Sequence, residues 1–219
     1  MSSTPPIEQQ IEQAIDILKG GGVVAFPTDT VYGLGASAFI DHAVERVYRV
    51  KGRPRHFPLP LLVSSVSEIE MVAHPVSDMA WCLVQRFLPG GLTVVLPKAP
   101  SLSTIAAAGG ESVAVRIPNH PIPLSLVHGL GAPITGTSAN RSGDISPRTA
   151  DEVYRQLGDR IDLVIDGGGC SEGVESTVLD LTSQIPRILR EGAISRDEIE
   201  RACGIKIQGV SENANRHWE

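Results

Sequence analysis

The sequence predicts an α/β fold: a single domain with a twisted mixed β-sheet flanked by helices. Amphipathic helical segments alternate with short β-branched runs along nearly the whole chain, and their irregular connections favour a mixed sheet over one repeated βαβ period. A length of 219 residues is enough for one sizeable core, and no internal repeat or low-complexity linker divides it. With 42% hydrophobic and 20% charged residues and a mean hydropathy near zero, the composition excludes a disordered chain and a membrane-embedded one. The longest apolar stretches, such as 23–26 and 59–63, fall far short of the ~20 residues that span a bilayer. Residues 1–6 lack the basic start and apolar run of a secretory signal, so a cytoplasmic location without membrane attachment is expected. Cys82, Cys170 and Cys203 form no CxxC pair, which argues against a disulfide framework and a zinc ribbon and leaves them as ordinary buried or half-buried thiols.

Pro5 and Pro6 open a helix over 7–19, in which Ile7, Ile11, Ala14, Ile15 and Leu18 recur at three- and four-residue spacing before Gly20, Gly21 and Gly22. A strand over 23–26 leads into 27–35, whose proline, hydroxyls and glycines read as a shaped loop. Asp41 is expected to cap a helix to about Val50, and Pro54 stops it. Residues 59–63 predict a strand, 65–73 and 75–88 helices, and 92–96 a strand entered through Gly90 and Gly91. There follow a strand over 113–117, a short helix over 121–128, a short strand over 134–137, a helix over 149–157 and a strand over 163–165. Strands near 177–181 and 187–189 and a helix from Ser195, stopped by Gly204, finish the fold. The domain is expected to span 7–205, followed by a polar, disordered tail over 206–219 that ends in Trp218 and Glu219.

Net charge is −6, yet arginine outnumbers lysine 15 to 4, and Arg46, Arg49, Lys51, Arg53 and Arg55 stand close together with no acid between them. That run is a candidate anion site as well as a solvated helix face. Several familiar sites are absent or demoted. Gly33-Leu34-Gly35-Ala36-Ser37-Ala38 fits G-x-G-x-x-A, but residues 27–32 separate it from the strand, and arginines stand where a dinucleotide site needs an acid. There the glycines are expected to serve tight turning and close packing. No P-loop, H-E-x-x-H or G-x-S-x-G occurs, and the six histidines show no metal-ligand spacing, so no protein-bound metal is expected. What remains is a set of loops rich in hydroxyls, glycines and cations: 27–35, 51–54, 136–143, 175–177 and 190–192. Arg116 is a lone cation in an apolar strand, a setting in which a carboxylate partner is the first expectation. Converging arginines and hydroxyls suit a phosphate or a carboxylate ligand, because the guanidinium fork matches both. No nucleophile stands with its base, so any chemistry rests on positioning and charge neutralisation.

Six segments in order carry a resemblance over about 15–204: Phe26-Pro27-Thr28-Asp29-Thr30-Val31-Tyr32-Gly33-Leu34, Lys51-Gly52-Arg53-Pro54, Pro89-Gly90-Gly91-Leu92-Thr93, Val113-Ala114-Val115-Arg116-Ile117-Pro118, Thr137-Ser138-Ala139-Asn140 and Glu175-Ser176-Thr177-Val178. In these the chain resembles the YrdC/TsaC family, the threonylcarbamoyl-AMP synthases. The resemblance implies a twisted α/β sheet with a concave cleft, and the synthesis of threonylcarbamoyl-adenylate and pyrophosphate from L-threonine, bicarbonate and ATP, with magnesium accompanying the nucleotide. The product would feed tRNA threonylcarbamoyladenosine modification, which makes tRNA and the downstream threonylcarbamoyl-transfer machinery the implied partners. Carried onto this chain, Lys51 and Arg53 would neutralise the triphosphate as the catalytic cations. Ser138, Asn140, Ser146, Ser176 and Arg190 would form the rest of the ATP site, and Thr30 and Arg116 would hold threonine, the arginine on its carboxylate. The chain departs from the family's pattern where Phe57 and Leu62 replace an Asn and a His, and it resembles the short single-domain form. Two other readings fit the same residues: a carbamoyl-transfer module like that of hydrogenase-maturation proteins, and a non-catalytic RNA-binding module using the Arg46–Arg55 patch, which the acidic net charge and 4% aromatic content disfavour.

Overall fold

The computed structural model describes residues 5–171 and 173–208. The predicted first helix is α1 (Ile7–Lys19), followed by β1 (Val24–Phe26) and β2 (Gly33–Gly35). The last three residues of the expected loop are therefore a strand. Glycine is needed there for packing, since a Cβ at Gly33 or Gly35 would fall 2.8 or 2.7 Å from the Phe26 ring. Helix α2 (Asp41–Lys51) begins after Ile40, and Asp41 lies in its first turn, favouring the helix dipole rather than capping. Strand β3 shrinks to Leu61–Leu62, and the expected helix after it is a 3₁₀ helix, Val66–Met71, beside which the Glu68 carboxylate accepts from Ser64 N–H and Oγ at 2.7 Å. Helix α3 (Asp78–Phe87) starts at its Ser77 cap and precedes β4 (Leu92–Pro97) and β5 (Ser112–Arg116). Next come α4 (Pro121–Leu130), β6 (Ile134–Thr135) and β7 (Thr137–Ser138). Helix α5 (Ala150–Gln156) and β8 (Leu163–Val164) follow. Strands β9 (Thr177–Asp180) and β10 (Arg187–Arg190) lead to α6 (Arg196–Cys203), capped by Ser195 and closed by Gly204.

The strands form two mixed ladders, β7-β2-β1-β8 and β10-β9-β4-β5-β3-β6. In the second, β4 pairs antiparallel with β5 and parallel with β9, while β5 pairs parallel with β3. The strand predicted over 134–137 is broken at Gly136, so that β6 pairs with β3 and β7 with β2. At that bend a Cβ would lie 2.4 Å from Leu62 Cγ, and Leu62 is itself buried. One bent strand thus ties the two ladders together, reinforced where Thr135 N–H donates to the Ala36 carbonyl at 2.9 Å. The expected α/β class and single domain hold, with the sheet divided in two at this bend.

Strand alternation decides what each face carries. In the six-stranded sheet Leu92, Val94, Leu96, Val113, Val115 and Leu179 enter the main core, where β4 and β5 face α3 and α6 residues such as Leu83 and Ile199. The intervening residues Thr93, Val95, Ala114, Arg116, Ser176 and Val178 have the opposite parity, and of these Val95, Ala114 and Val178 form a small apolar cluster of their own. A separate core joins α1, α4 and β1 through Leu18, Leu126 and Phe26, each wholly buried, with each buried leucine contributing roughly 1.5–3 kcal/mol. Residues assigned to the tail on sequence take part in the fold: Ile207 is buried, and Gln208 bridges Arg187. The rest of the expected tail lies outside the described residues. Among the described residues no helix is long and apolar enough to cross a membrane.

Candidate functional site

A pocket of about 490 Å³, its mouth included, lies on the sheet face opposite the main core, beside the bend at Gly136. Its walls come from the loop before β2 (Thr30, Val31), the residue after the α2 cap (Arg53), β4 (Thr93), β5 (Arg116), the bent strand (Thr137, Ser138), Glu175 and Ser176 before β9, and Arg190 at the end of β10. Six residues expected on sequence to form the site therefore line one cavity: Thr30, Arg53, Arg116, Ser138, Ser176 and Arg190.

Thr28 shapes the first wall. Its hydroxyl accepts from the backbone N–H of Thr30 at 3.1 Å and donates to the Val31 carbonyl at 2.7 Å, a local side-chain turn that fixes the loop. Arg116 then reaches across from β5. Its Nη1 donates to Thr30 Oγ1 at 2.8 Å, its Nε to the Gly90 carbonyl at 2.9 Å and its Nη2 to Asp29 Oδ1 at 2.6 Å. The ion pair expected of a lone buried arginine is present, with both side chains nearly inaccessible at 8% and 7% exposure. Asp29 is a residue that the sequence argument missed as part of the site. The available signal was the requirement of Arg116 for a carboxylate within reach. Asp29 Oδ2 is buried and has no hydrogen-bond partner among the described residues.

The second wall is cationic. Helix α2 ends at Gly52 in the left-handed region, φ 62°, where a residue without Cβ is favoured and where the Gly52 N–H returns to Tyr48 and Arg49 carbonyls. That reversal sends Lys51 and Arg53, on either side of the glycine, into the protein, with only 3% and 5% exposure. Lys51 Nζ donates to the Ser138 carbonyl at 2.6 Å, the Asn140 carbonyl at 2.9 Å and Asn140 Oδ1 at 3.1 Å. Three acceptors suit an ammonium, but none is an anion. Burial first, and then the charge of Arg53, lower the Lys51 pKa to about 7, while Glu175 opposes the shift. Burial likewise lowers the pKa of Arg53. The Arg53 guanidinium donates to the Phe57 and Pro58 carbonyls at 3.4 and 3.3 Å and lies 5.5 Å from the centre of the Phe57 ring. Phe57, where the family's pattern has Asn, thus provides a ring face for Arg53. Arg55 turns away to Glu45 at 3.1 Å and is largely exposed, while His56 stacks edge-on against Phe57. Leu62, the other departure, packs in the α1 and α4 core.

The third wall is a clasp around Glu175. Ser146 Oγ donates to Glu175 Oε1, and Arg190 Nη1 pairs with Glu175 Oε2. Arg190 also holds the Ser176 carbonyl through Nε at 3.2 Å and Nη2 at 2.9 Å, and Ser176 Oγ lies 2.8 Å from Thr93 Oγ1. Ser146 therefore approaches the pocket through Glu175, and Lys51 and Asn140 stand behind the wall formed by Ser138. Asn140 joins the loop ends by donating from Nδ2 to the Asp144 carbonyl at 2.6 Å. Glu175, Thr93 and Thr137 are pocket residues beyond those expected. The parity of Thr93 with Arg116 and Ser176 was legible in the strands, but which face would be covered was not. The arrangement presents a hydrogen-bonding fork, two further guanidinium groups and several hydroxyls to one cavity, the equipment for an anion bearing more than one charged group.

The chain is similar to known proteins of one family. The profile of the Sua5/YciO/YrdC family, described as "Telomere recombination", matches residues 16–192. The chain is 45% identical over 198 residues to "Threonylcarbamoyl-AMP synthase" of Bacillus subtilis (strain 168), a match covering 90% of this chain and 57% of that protein. It is also similar to the crystal structure of P. abyssi Sua5 complexed with L-threonine, at TM-score 0.89 and 41% identity, covering 94% of this chain and 61% of the other. A third likeness, to E. coli YciO, has TM-score 0.81 and 28% identity and covers 90% of this chain and 95% of that one. The chain thus spans less than two thirds of the length of the Bacillus and P. abyssi proteins. With a profile match over most of its residues and 45% identity to a curated member, the chain belongs to the Sua5/YciO/YrdC family.

Proposed function

We propose that the chain makes threonylcarbamoyl-adenylate and pyrophosphate from L-threonine, bicarbonate and ATP. The observation that carries this reading is the convergence of Arg116 and Thr30 with Arg53 and Arg190 in one pocket, a carboxylate-and-hydroxyl site adjoining a polyphosphate site. In the proposed reaction the threonine amine adds to carbon dioxide, or to bicarbonate with loss of water, and gives up a proton to form a carbamate. A carbamate oxygen attacks the α-phosphorus of ATP, the bond to the bridging oxygen breaks, and pyrophosphate leaves with the electron pair. This sequence requires no protein nucleophile. It requires anions to be held in line against their mutual repulsion.

In this assignment Arg116 binds the threonine carboxylate, held in place by Asp29, and Thr30 binds beside it. Lys51 and Arg53 neutralise the triphosphate. Ser138, Asn140, Ser146, Ser176 and Arg190 serve the adenylate side, with Ser146 and Arg190 exchanging Glu175 for the nucleotide. Magnesium is assigned to the nucleotide's own oxygens, because the ion keeps several waters and binds through substrate phosphates rather than through an all-protein cage. The product is assigned to tRNA threonylcarbamoylation, with tRNA and a threonylcarbamoyl-transferring enzyme as partners. Pyrophosphate release from magnesium-ATP tests the reading, omitting L-threonine or bicarbonate in turn and repeating with Lys51→Ala. Release that needs both small substrates and falls roughly a hundredfold in the variant is expected, on the scale of removing one group that meets developing charge. Release independent of threonine would overturn it.

A further inference from the structure

Cys82 and Cys203, separated by 121 positions in sequence, have their sulfur atoms 3.3 Å apart. The contact joins α3 to α6, two helices that pack against each other on the side of the sheet away from the pocket residues. Cys82 is exposed, while Cys203 is half-buried. Asp78, Trp81, Cys82, Gln85 and Arg86 follow one another at helical spacing along a single face of α3, and with Ala202 of α6 they line an open groove that admits solvent to Cys82. None of these residues lines the pocket. The third cysteine, Cys170, is buried elsewhere.

We propose that Cys82 and Cys203 are an oxidation site at which a hydroperoxide converts the thiol pair into a reversible disulfide, fastening α6 to α3. The groove lets the oxidant reach Cys82 first. Its sulfur attacks the peroxide oxygen, giving Cys82 sulfenic acid and releasing water or an alcohol. The Cys203 sulfur then attacks the Cys82 sulfur and expels water, so that two thiols and one peroxide yield one disulfide, one alcohol or water, and one further water. Closing the bond requires the sulfurs to approach from 3.3 Å to about 2.05 Å. Burial first, and then the Cys82 contact, raise the pKa of the Cys203 thiol to about 11, so the exposed Cys82 is the sulfur that meets the oxidant first. A thiol reductant reverses the bond by exchange.

The bond closes a loop of more than a hundred residues, so it restricts the unfolded chain strongly. Treatment of the whole protein with equimolar hydrogen peroxide is expected to remove the mass of two hydrogen atoms and to give one cross-linked peptide joining Cys82 to Cys203 on non-reducing digestion. The melting midpoint should rise by about 5–15 °C and return with dithiothreitol. Cys203→Ser should instead accumulate Cys82 sulfenic acid, trapped as a dimedone adduct, and lose the rise in midpoint, whereas Cys170→Ser should behave as the parent. Over-oxidation of Cys82 without a cross-link, an intermolecular Cys82 bond, or a cross-link using Cys170 would each overturn the proposal.

Discussion

Lys51 supplies the sharpest test of the charge argument. With a pKa of about 7 in the free protein, its amine is about nine-tenths neutral at pH 8. The distance from the ordinary 10.5 corresponds to about 5 kcal/mol of preference for the uncharged form, set by burial and by Arg53. If the proposed triphosphate assignment brings a phosphate oxygen of unit charge past the Ser138 wall to about 4 Å from Nζ, it is worth about 4 kcal/mol at an effective dielectric constant of 20, which restores most of that preference to the ammonium. Nucleotide binding at pH 8 should therefore take up most of one proton, at a pH where the last phosphate proton of ATP is already gone. Calorimetric titration of magnesium-ATP without threonine, in buffers of different ionisation enthalpy, reads this number directly as a slope. Lys51→Met should reduce it to near zero. Uptake near zero in the parent protein, or equal uptake in Lys51→Met, would show that Lys51 is not recharged by the nucleotide. The same shift has a sign in stability. Between pH 7 and 10.5 the unfolded lysine holds a proton that the folded one has lost, so the Lys51 contribution makes stability rise with pH across that window.

Arg116→Lys keeps the charge and loses the fork, so the KM for threonine should rise by tenfold or more with the KM for ATP unchanged, measured by pyrophosphate release. Arg116→Ala should lower unfolding free energy by about 3–5 kcal/mol, because Asp29 is left as an unpaired buried carboxylate, and Asp29→Asn in the same chain should recover most of the loss in denaturant titration. Phe57→Ala should raise the KM for ATP about three- to fivefold by removing the ring face from Arg53, with the threonine KM unmoved in steady-state assays. Gly136→Ala should cost about 1–3 kcal/mol, read as a lower melting midpoint, since the new Cβ meets the branched end of buried Leu62.

The helices were legible where local chemistry defines both ends. The repeating apolar face from Ile7 to Leu18 and the Ser195 and Gly204 caps all appear in the structure, whereas the stop expected at Pro54 falls at Gly52. Strand ends were less legible because partners set them. Leu61 and Leu62 are the only part of the run over 59–63 that finds ladder partners, and 134–137 is cut where Gly136 meets Leu62. Of the expected site, Thr30, Arg53, Arg116, Ser138, Ser176 and Arg190 line the pocket, whereas Lys51, Asn140 and Ser146 reach it through neighbours. Asp29 and Glu175 were not singled out as site residues, because a counter-ion is defined by a distance between elements.

Local spacing and side-chain chemistry were enough to set the α/β alternation, the places of the α-helices and the residue types at the site, but not every helix end. The order of the strands, the division of the sheet at Gly136, the pairing of Arg116 with Asp29, and the meeting of Cys82 with Cys203 were decided only by the tertiary structure. Each of these depends on which distant segments share a surface once the core closes. That choice is made by the packing of the whole chain, and a single window of sequence does not contain it.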